Sequence, residues 1–480
     1  MNSAFFGIDF GTTNCSSVRV IGGDFQKYGD DAGFPLPSTV ALDIATGQAF
    51  CGRSVWDNRE EYRQSGNYHV IESVKWHLGT DERWATEAKI WTPEEVAAQL
   101  FKQLSERALH RGIDPISKAV IAIPVDYPAA LRRSLRRAAG IADIEVITFI
   151  TESTAALVRH FAKLQHCRYV AIFDWGGGTL DISILEIRDG RIIELATEGM
   201  PIAGNVIDDD FAQAVHVRVM EQRHQSIPFS AMSSVDRDNL RTKCEFAKRC
   251  LSSQSATRIL LTSYGGQPVN IEVEKAWFES LISAHVELAI EELSKAVIAA
   301  GLSFDSINRL LVIGGSSQLS LLREKLQNDR RFSGAFLESS EAEWDVAAGA
   351  AIVAQTPGEY RVAESIGILL SDGTLHDLVH EGETVLPSER SISLSLVEDS
   401  KQANFIIEKR ANGFRQRVPP ERILEFGVET VGFDLESIDL AYRIDPDFIF
   451  QLRAKSRALR GREAVREYGK LRLSYEIAQC

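Results

Sequence analysis

Two short stretches join aspartate, glycine and threonine in an order that suits phosphate chemistry. The first is GIDFGTTN, with Asp9, Gly11, Thr12, Thr13 and Asn14; the second is FDWGGGTLD, with Asp174, Gly176, Gly177, Gly178, Thr179 and Asp181. A turn without Cβ atoms lets backbone N–H groups approach an anion closely and permits φ > 0, which makes a concave nest of donors for phosphate oxygens. Thr12, Thr13 and Thr179 add hydroxyl donors. Carboxylates repel phosphate, so Asp9 and Asp174 are read as holders of a hydrated divalent cation that bridges to it, a role that suits Mg2+. Ordinary hairpin turns would explain one such stretch. Two copies with matching Asp, Gly and Thr argue for a ligand site.

A third glycine pair stands in LLVIGGSSQLSLLREKL. The strand Leu310 to Ile313 is expected to run into Gly314, Gly315 and Ser316 and then an amphipathic helix, which sets a helix N-terminus and close backbone approach beside a ligand, again suited to a nucleotide. Neither GxxxxGK[ST] nor a post-strand GxGxxG is present, and zincin and nucleophile-elbow motifs are missing.

The elements that position these residues are legible in the flanking pattern. Each aspartate closes an apolar run and each turn leads into alternating apolar residues, which predicts strand, tight turn, strand. The copies lie about 165 residues apart. This spacing predicts an internal duplication, two related lobes that each offer one polar turn to a shared cleft.

The chain has 480 residues, 44% hydrophobic and 25% charged, enough for several globular domains. A formal net charge of -14 argues against general binding to nucleic acid or to an anionic membrane. No apolar run reaches the roughly 20 residues of a membrane span, and MNSAFFGIDFG lacks the basic flank of a signal peptide, so a cytoplasmic protein is expected. Cys15, Cys51, Cys167, Cys244, Cys250 and Cys480 form no C-x-x-C pair and read as reduced thiols. Cys15, inside the first turn, reads as a packed, inert thiol, with redox sensitivity as the alternative. In IPVDYPAALRRSLRRAAGI, Arg132, Arg133, Arg136 and Arg137 recur at helical spacing and predict a solvated basic face. After about residue 356 the pattern becomes period-two: Ile392, Leu394 and Leu396 alternate with serines. Ile438, Leu440, Tyr442 and Ile444 precede an Asp-Pro turn, followed by Phe448, Phe450 and Leu452. These predict a small β-sandwich.

Taken in order, GIDFGTTN, VIAIPVDY, FDWGGGTLDIS, CEFAKRCLSS and LVIGGSSQL resemble the ATPase domain of the heat shock protein 70 chaperone family, within the actin and sugar-kinase superfamily, as far as about Gln355. The resemblance implies an α/β fold: a two-lobed actin-like ATPase domain of duplicated ribonuclease H-like lobes over residues 1–356, a linker over 357–365, and a β-sandwich over 366–480. SIGILLSDG and IDLAYRIDPDFIFQLRAKS resemble the family's peptide-binding β domain.

For individual residues, the resemblance implies that Asp9, Gly11, Thr12, Thr13 and Asn14 form the first phosphate turn. Asp174, Gly176, Gly177, Gly178 and Thr179 form the second, and Asp181 stands near the metal and its water shell. Lys75, in IESVKWHLG, would act on the γ-phosphate; Glu152, in ITESTAALV, would organise the water shell and couple the site to the rest of the domain. Lys75, Glu152, Asp174 and Thr179 are the implied catalytic set. Glu245, Lys248 and Ser252, with Gly204, Gly314, Gly315 and Ser316, would hold the adenosine end. Gln318 stands where an arginine usually stacks on adenine. Pro124 would be an allosteric switch and Arg132 a link to the second domain.

The implied cofactors are ATP/ADP and Mg2+, with K+ beside it. The implied partners are polypeptide clients, a J-domain co-chaperone and a nucleotide exchange factor. The sequence departs from the family in AGNV (Ala203 to Val206), in Glu152-Ser153-Thr154, in the linker YRVAESIGILL, and in RALRGREAVREYGKLRLSYEIAQC, which is too short for a helical lid. Without a lid, rapid peptide exchange is expected. Besides an ATP-hydrolysing chaperone, the readings are a nucleotide-dependent scaffold or exchange-factor-like partner, a small-molecule kinase of the same superfamily, and, for the C-terminal part, an accessory β domain with a fixed partner.

Overall fold

The apolar run before Asp9 forms the strand Phe5–Phe10, which pairs antiparallel with Asn14–Ile21 across the turn and parallel with Lys118–Ile123 on its other side. The run before Asp174 repeats this: Tyr169–Trp175 pairs antiparallel with Leu180–Arg188 and parallel with Arg309–Ile313. The correspondence holds residue by residue. Asp9 sits opposite Ser16 and Ala122; Asp174 sits opposite Asp181 and Ile313. The turns Gly11 to Asn14 and Gly176 to Thr179 therefore occupy equivalent positions in two copies of one topology. Strands covered on both faces carry near-continuous apolar runs, which is why these segments stand out in the sequence.

This computed structural model describes residues 5–111, 114–332, 334–385, 388–396, 400–410, 420–431, 436–458 and 462–478. The fold is mixed α/β, and its contacts divide it into two units. The first comprises residues 1–125, 134–187 and 195–355. Its first lobe is the sheet ordered Glu145–Thr151, Lys118–Ile123, Phe5–Phe10, Asn14–Ile21, Asp24–Tyr28, with Leu36–Pro37 paired to Asn14–Ile21. Its second orders Phe336–Glu338, Arg309–Ile313, Tyr169–Trp175 and Leu180–Arg188. The helix Asp345–Gln355, rich in alanine and almost wholly buried, packs against both the strand Phe5–Phe10 and the helix Glu152–Arg159. Among the described residues no helix is long and apolar enough to cross a membrane.

The second unit comprises residues 126–133, 188–194 and 356–480. Two four-stranded antiparallel sheets form it: Leu375–Val379, Ser365–Leu369, Gln402–Arg410, Glu421–Glu429 in one, and Arg390–Ser395, Ser437–Ile444, Phe450–Ser456, Glu463–Tyr468 in the other. Ile368, Phe405, Ile407 and Phe426 of the first sheet share a core with Ile438, Leu440, Ile444, Phe450 and Leu452 of the second. The β-sandwich expected from alternation is thus present, with Ile392, Leu394 and Leu396 at its margin.

Three local readings are corrected. Phe448 is not in the strand alternation; it lies in the Asp-Pro turn at φ 58°, its ring 4.5 Å from that of Tyr360. The turn takes it because Asp445 Oδ1 accepts the amides of Asp447 and Ile449 and so closes the chain before the next strand begins. The segment read as a linker contains the strand Glu359–Val362, paired with Leu473–Glu476. The arginine helix is not a solvated face. Arg132 is 6% exposed and donates to the carbonyls of Tyr127, Asp447 and Gly469; Arg133 pairs with Glu467. Arg136 lies over the Phe149 ring and donates to Val146 O, and only Arg137 is largely exposed. Helical spacing identifies a common face but not the acceptors that meet it.

Removing the Phe405 side chain from the core it shares with Phe426 is expected to cost about 3–5 kcal/mol. Phe405→Ala should lower the urea midpoint for unfolding of the sandwich, followed by proteolysis within residues 356–480. An unchanged midpoint would contradict this packing.

Candidate functional site

The two glycine turns meet tip to tip. A Cβ added to Gly177 would fall 2.8 Å from both Oγ1 and Cγ2 of Thr13, so any larger residue there pushes the turns apart. Other loops tie onto the second turn: the amides of Gly204 and Asn205 donate to the carbonyls of Gly176 (3.2 Å) and Gly177 (2.8 Å), and Ser316 Oγ donates to Gly176 O at 2.7 Å. Gly204 and Ser316, far apart in sequence, therefore converge on one turn. Gly314 follows, its amide bonded to Ala342 O at 3.0 Å. The expected helix N-terminus is displaced: Gly315–Gln318 forms a 3-10 turn, and the α-helix begins only at Ser320. Three consecutive polar residues after Gly315 favour the tighter turn, and the backbone nearest the cleft is that of Gly314 to Ser316 rather than a helix end.

Lys75 and Glu152 enter from the first lobe. Lys75 lies in the 3-10 turn Val74–His77, is 6% exposed, and its Nζ is 3.1 Å from Glu152 Oε1. Glu152 is the first residue of a helix capped by the Thr151 side chain, which accepts from Thr154 N. Thr179 Oγ1 donates to Asp181 Oδ2 at 2.7 Å. Around them the carboxylates are crowded and short of positive charge. Burial pushes the Asp9 carboxyl up to about 7, with Glu152 adding to the shift and Lys75 opposing it. Asp174 is raised well above the usual range by burial and then by Glu152, Asp181, Asp9 and Asp345. Asp181 is raised by burial and Glu152, against the Thr179 hydroxyl and Lys75.

This electrostatic shortage fits a cation, and the buried Thr13 Oγ1, which has no hydrogen-bond partner, fits a phosphate oxygen. Among the described residues no group of three or more His, Cys, Asp or Glu side chains is arranged to hold a metal directly. Asp9, Asp174 and Asp181 could hold an ion through its water shell, as Mg2+ prefers.

The far wall is built on the helix Ser234–Leu251. Lys248 Nζ donates to Asp208 Oδ2 at 2.7 Å and to Gly204 O at 3.3 Å, and burial pushes Asp208 up to about 6 despite Lys248. Glu245 accepts from Arg249 at 3.1 Å; burial would raise its carboxyl, but Arg249, Lys248, Arg53 and the Trp56 indole together hold it below the usual range. Arg249 also lies 3.6 Å from Glu343.

Of the residues expected at the site, Asp9, Gly11, Thr12, Thr13, Asn14, Lys75, Pro124, Glu152, Asp174, Gly176 to Thr179, Asp181, Glu245, Lys248, and Gly314 to Ser316 line one cleft, and Gly204 adjoins it. Ser252 and Gln318 do not line it. Ser252 Oγ turns back to Lys248 O, and Gln318 Oε1 accepts from Arg323. Arg132 belongs to the other unit. Ser16, Asn205, Asp208, Arg249 and Glu343 also line the cleft and were not anticipated. Ser16 could have been found, since it stands after Asp9 as Asp181 stands after Asp174. Arg249 follows Glu245 by one helical turn; Glu343 carries no local signal. Cys15 is buried, its Sγ 3.1 Å from Ser38 Oγ, and burial pushes the thiol up to about 12, in keeping with an inert packed thiol.

Two copies of a strand–turn–strand unit facing each other across crowded carboxylates, a buried lysine and glycine-rich amide nests define a two-lobed domain suited to a nucleotide's phosphates. The family model described as Hsp70 protein matches residues 44–476, and the chain belongs to the Hsp70 family. Membership supports an ATP-binding chaperone.

A direct check lies in the contact between the turns. Gly177→Ala is expected to weaken Mg-ADP binding at least tenfold by titration calorimetry while leaving the thermal midpoint of the nucleotide-free protein close to wild type. Unchanged affinity would contradict the facing-turn site.

Proposed function

We propose that this chain hydrolyses ATP in the cleft between its two glycine turns and uses nucleotide state to control binding of polypeptide clients at its β-sandwich. The observation that carries the reading is the buried Lys75 held 3.1 Å from Glu152 beside the two turns. A lysine ammonium buried next to a carboxylate, at the edge of two turns lined with amides and hydroxyls, is placed to meet an anionic ligand.

Phosphoryl transfer to water needs positioning and charge stabilisation more than covalent help. In this reading the Lys75 ammonium, oriented by Glu152, stabilises charge on the transferring phosphoryl group. Glu152 and Asp174 orient the attacking water, and the Thr179 hydroxyl, already donating to Asp181, keeps that carboxylate in place. The amides and hydroxyls of Gly11 to Asn14 and Gly176 to Thr179 cradle the phosphates; Glu245, Lys248 and the Gly314 to Ser316 turn receive the nucleoside. Bound Mg2+ supplies neutralisation of the phosphate charge, and K+ is proposed beside it.

The sandwich suits an extended peptide. Leu375–Val379 and Glu421–Glu429 end one sheet, and Arg390–Ser395 and Glu463–Tyr468 the other. Edge strands of this kind bind peptides through main-chain hydrogen bonds, with pockets for alternate side chains. Pro124 and Arg132 are proposed to carry nucleotide state to the sandwich, in a cytoplasmic protein served by J-domain and exchange-factor partners. A second reading, a nucleotide-dependent scaffold with slow turnover, is favoured by Gln318, which bonds to Arg323 instead of facing the cleft.

Lys75→Ala is expected to slow single-turnover ATP hydrolysis about 10²–10³-fold, the cost of losing one transition-state charge stabiliser, with free phosphate as the product in wild type. Turnover independent of Lys75 supports the scaffold reading, and a phosphorylated metabolite in place of phosphate would indicate a kinase.

A further inference from the structure

The helix Glu152–Arg159 begins in the cleft with Glu152 and ends at its C-cap, His160. It lies directly against the helix Asp345–Gln355 at Gly349, where an added Cβ would fall 1.8 Å from Ala155 O. The two backbones touch there, so the contact fixes how close the helices come and leaves their rotation about that point to side chains further along. One such pair is present. His160 Nε2 lies 3.1 Å from Asp345 Oδ2, and Arg159 Nε is 4.0 Å from Asp345 Oδ1.

Asp345 is 1% exposed, yet neither of its carboxylate oxygens accepts a hydrogen bond of good geometry among the described residues. A buried carboxylate with so few partners is unfavourable for stability, and an apolar residue of similar volume would commonly be better there. Its position points to another use. The segment around it builds the cleft wall: Ala342 O accepts the Gly314 amide, Glu343 meets Arg249, and Val346 lines the cleft. Asp345 is also felt at Asp174, where its charge disfavours ionisation.

We propose that His160 and Asp345 are a positioning pair for the reaction, joining the helix that carries Glu152 to the 342–346 segment of the opposite wall and so setting Glu152 against Asp174. The imidazole, closer than Arg159, also faces the Asp345 charge that is felt at the site. The pair touches no reacting atom, and its role rests on the proposed ATP hydrolysis.

The test uses the full chain with His160→Gln, Asp345→Asn and the double variant, reading single-turnover hydrolysis, Mg-ADP affinity and thermal midpoint. His160→Gln leaves Asp345 without its closest partner. Hydrolysis is expected to fall at least tenfold with Mg-ADP affinity within threefold of wild type, and Asp345→Asn on that background to restore the rate to within threefold, because a neutral amide no longer needs the imidazole. A rate unchanged by His160→Gln while the thermal midpoint drops overturns the proposal, as does a double variant as slow as the two single effects multiplied. Should His160→Gln not fold, His160→Asn takes its place in both the single and the double variant and is read by the same outcomes. If wild type shows no Lys75-dependent hydrolysis, the proposed function fails separately. The pair is then read from the dissociation rate of fluorescent ADP, expected to shift at least tenfold in His160→Gln and recover in the double variant; no shift rejects it.

Discussion

Asp9 and Asp174 occupy equivalent positions in two copies of one topology, and burial with neighbouring carboxylates makes both reluctant to ionise. Much of the first unit follows from that shared constraint. The sheets must present the two carboxylates to one cleft, the second turn must lack a side chain at Gly177 to meet Thr13 of the first, and the Lys75 ammonium must be buried where surface lysines seldom go. Each of these features is unfavourable alone. Together they make a site whose missing positive charge and unfilled hydrogen bonds match a hydrated cation carrying phosphates.

The connections around the second turn explain how such a site can respond to its contents. Gly204, Asn205 and Ser316 all bond to the carbonyls of Gly176 and Gly177, and the Gly314 amide bonds to Ala342 ahead of the buried helix Asp345–Gln355. A displacement of the second turn is therefore shared by four segments of chain. The β-sandwich, by contrast, is held by an apolar core drawn from both its sheets, with Phe405 and Phe426 stacked 5.1 Å apart. Membership of the Hsp70 family accounts for both units occurring in one chain.

What the sequence disclosed follows the range of the interactions involved. The two turns were legible because their chemistry is local: apolar run, aspartate, glycines and threonine lie within a few residues. The sandwich strands were legible where one face is buried, as in Ile438 to Ile444, and misjudged at Phe448, where an aspartate side chain closes a turn. Lys75 by itself would pass for a surface lysine, and only its motif marked it; its burial and its Glu152 partner are tertiary facts. Ser16 was hidden in plain view, recoverable by laying one copy of the duplication on the other. Arg249 and Glu343 reach the cleft from separate segments, and Ser252 and Gln318 are drawn away from it by Lys248 O and Arg323. Side-chain choices of that kind depend on neighbours that one-dimensional spacing does not contain.

The central claim is that the two turns form a single cation-and-phosphate site. A double-mutant cycle on Mg-ADP affinity, with Asp9→Asn, Asp174→Asn and both together, tests it most directly. Each single change is expected to weaken binding nearly as much as the pair, with a coupling of at least tenfold, about 1.4 kcal/mol. Losses that simply multiply, or an affinity indifferent to one of the two aspartates, would contradict it.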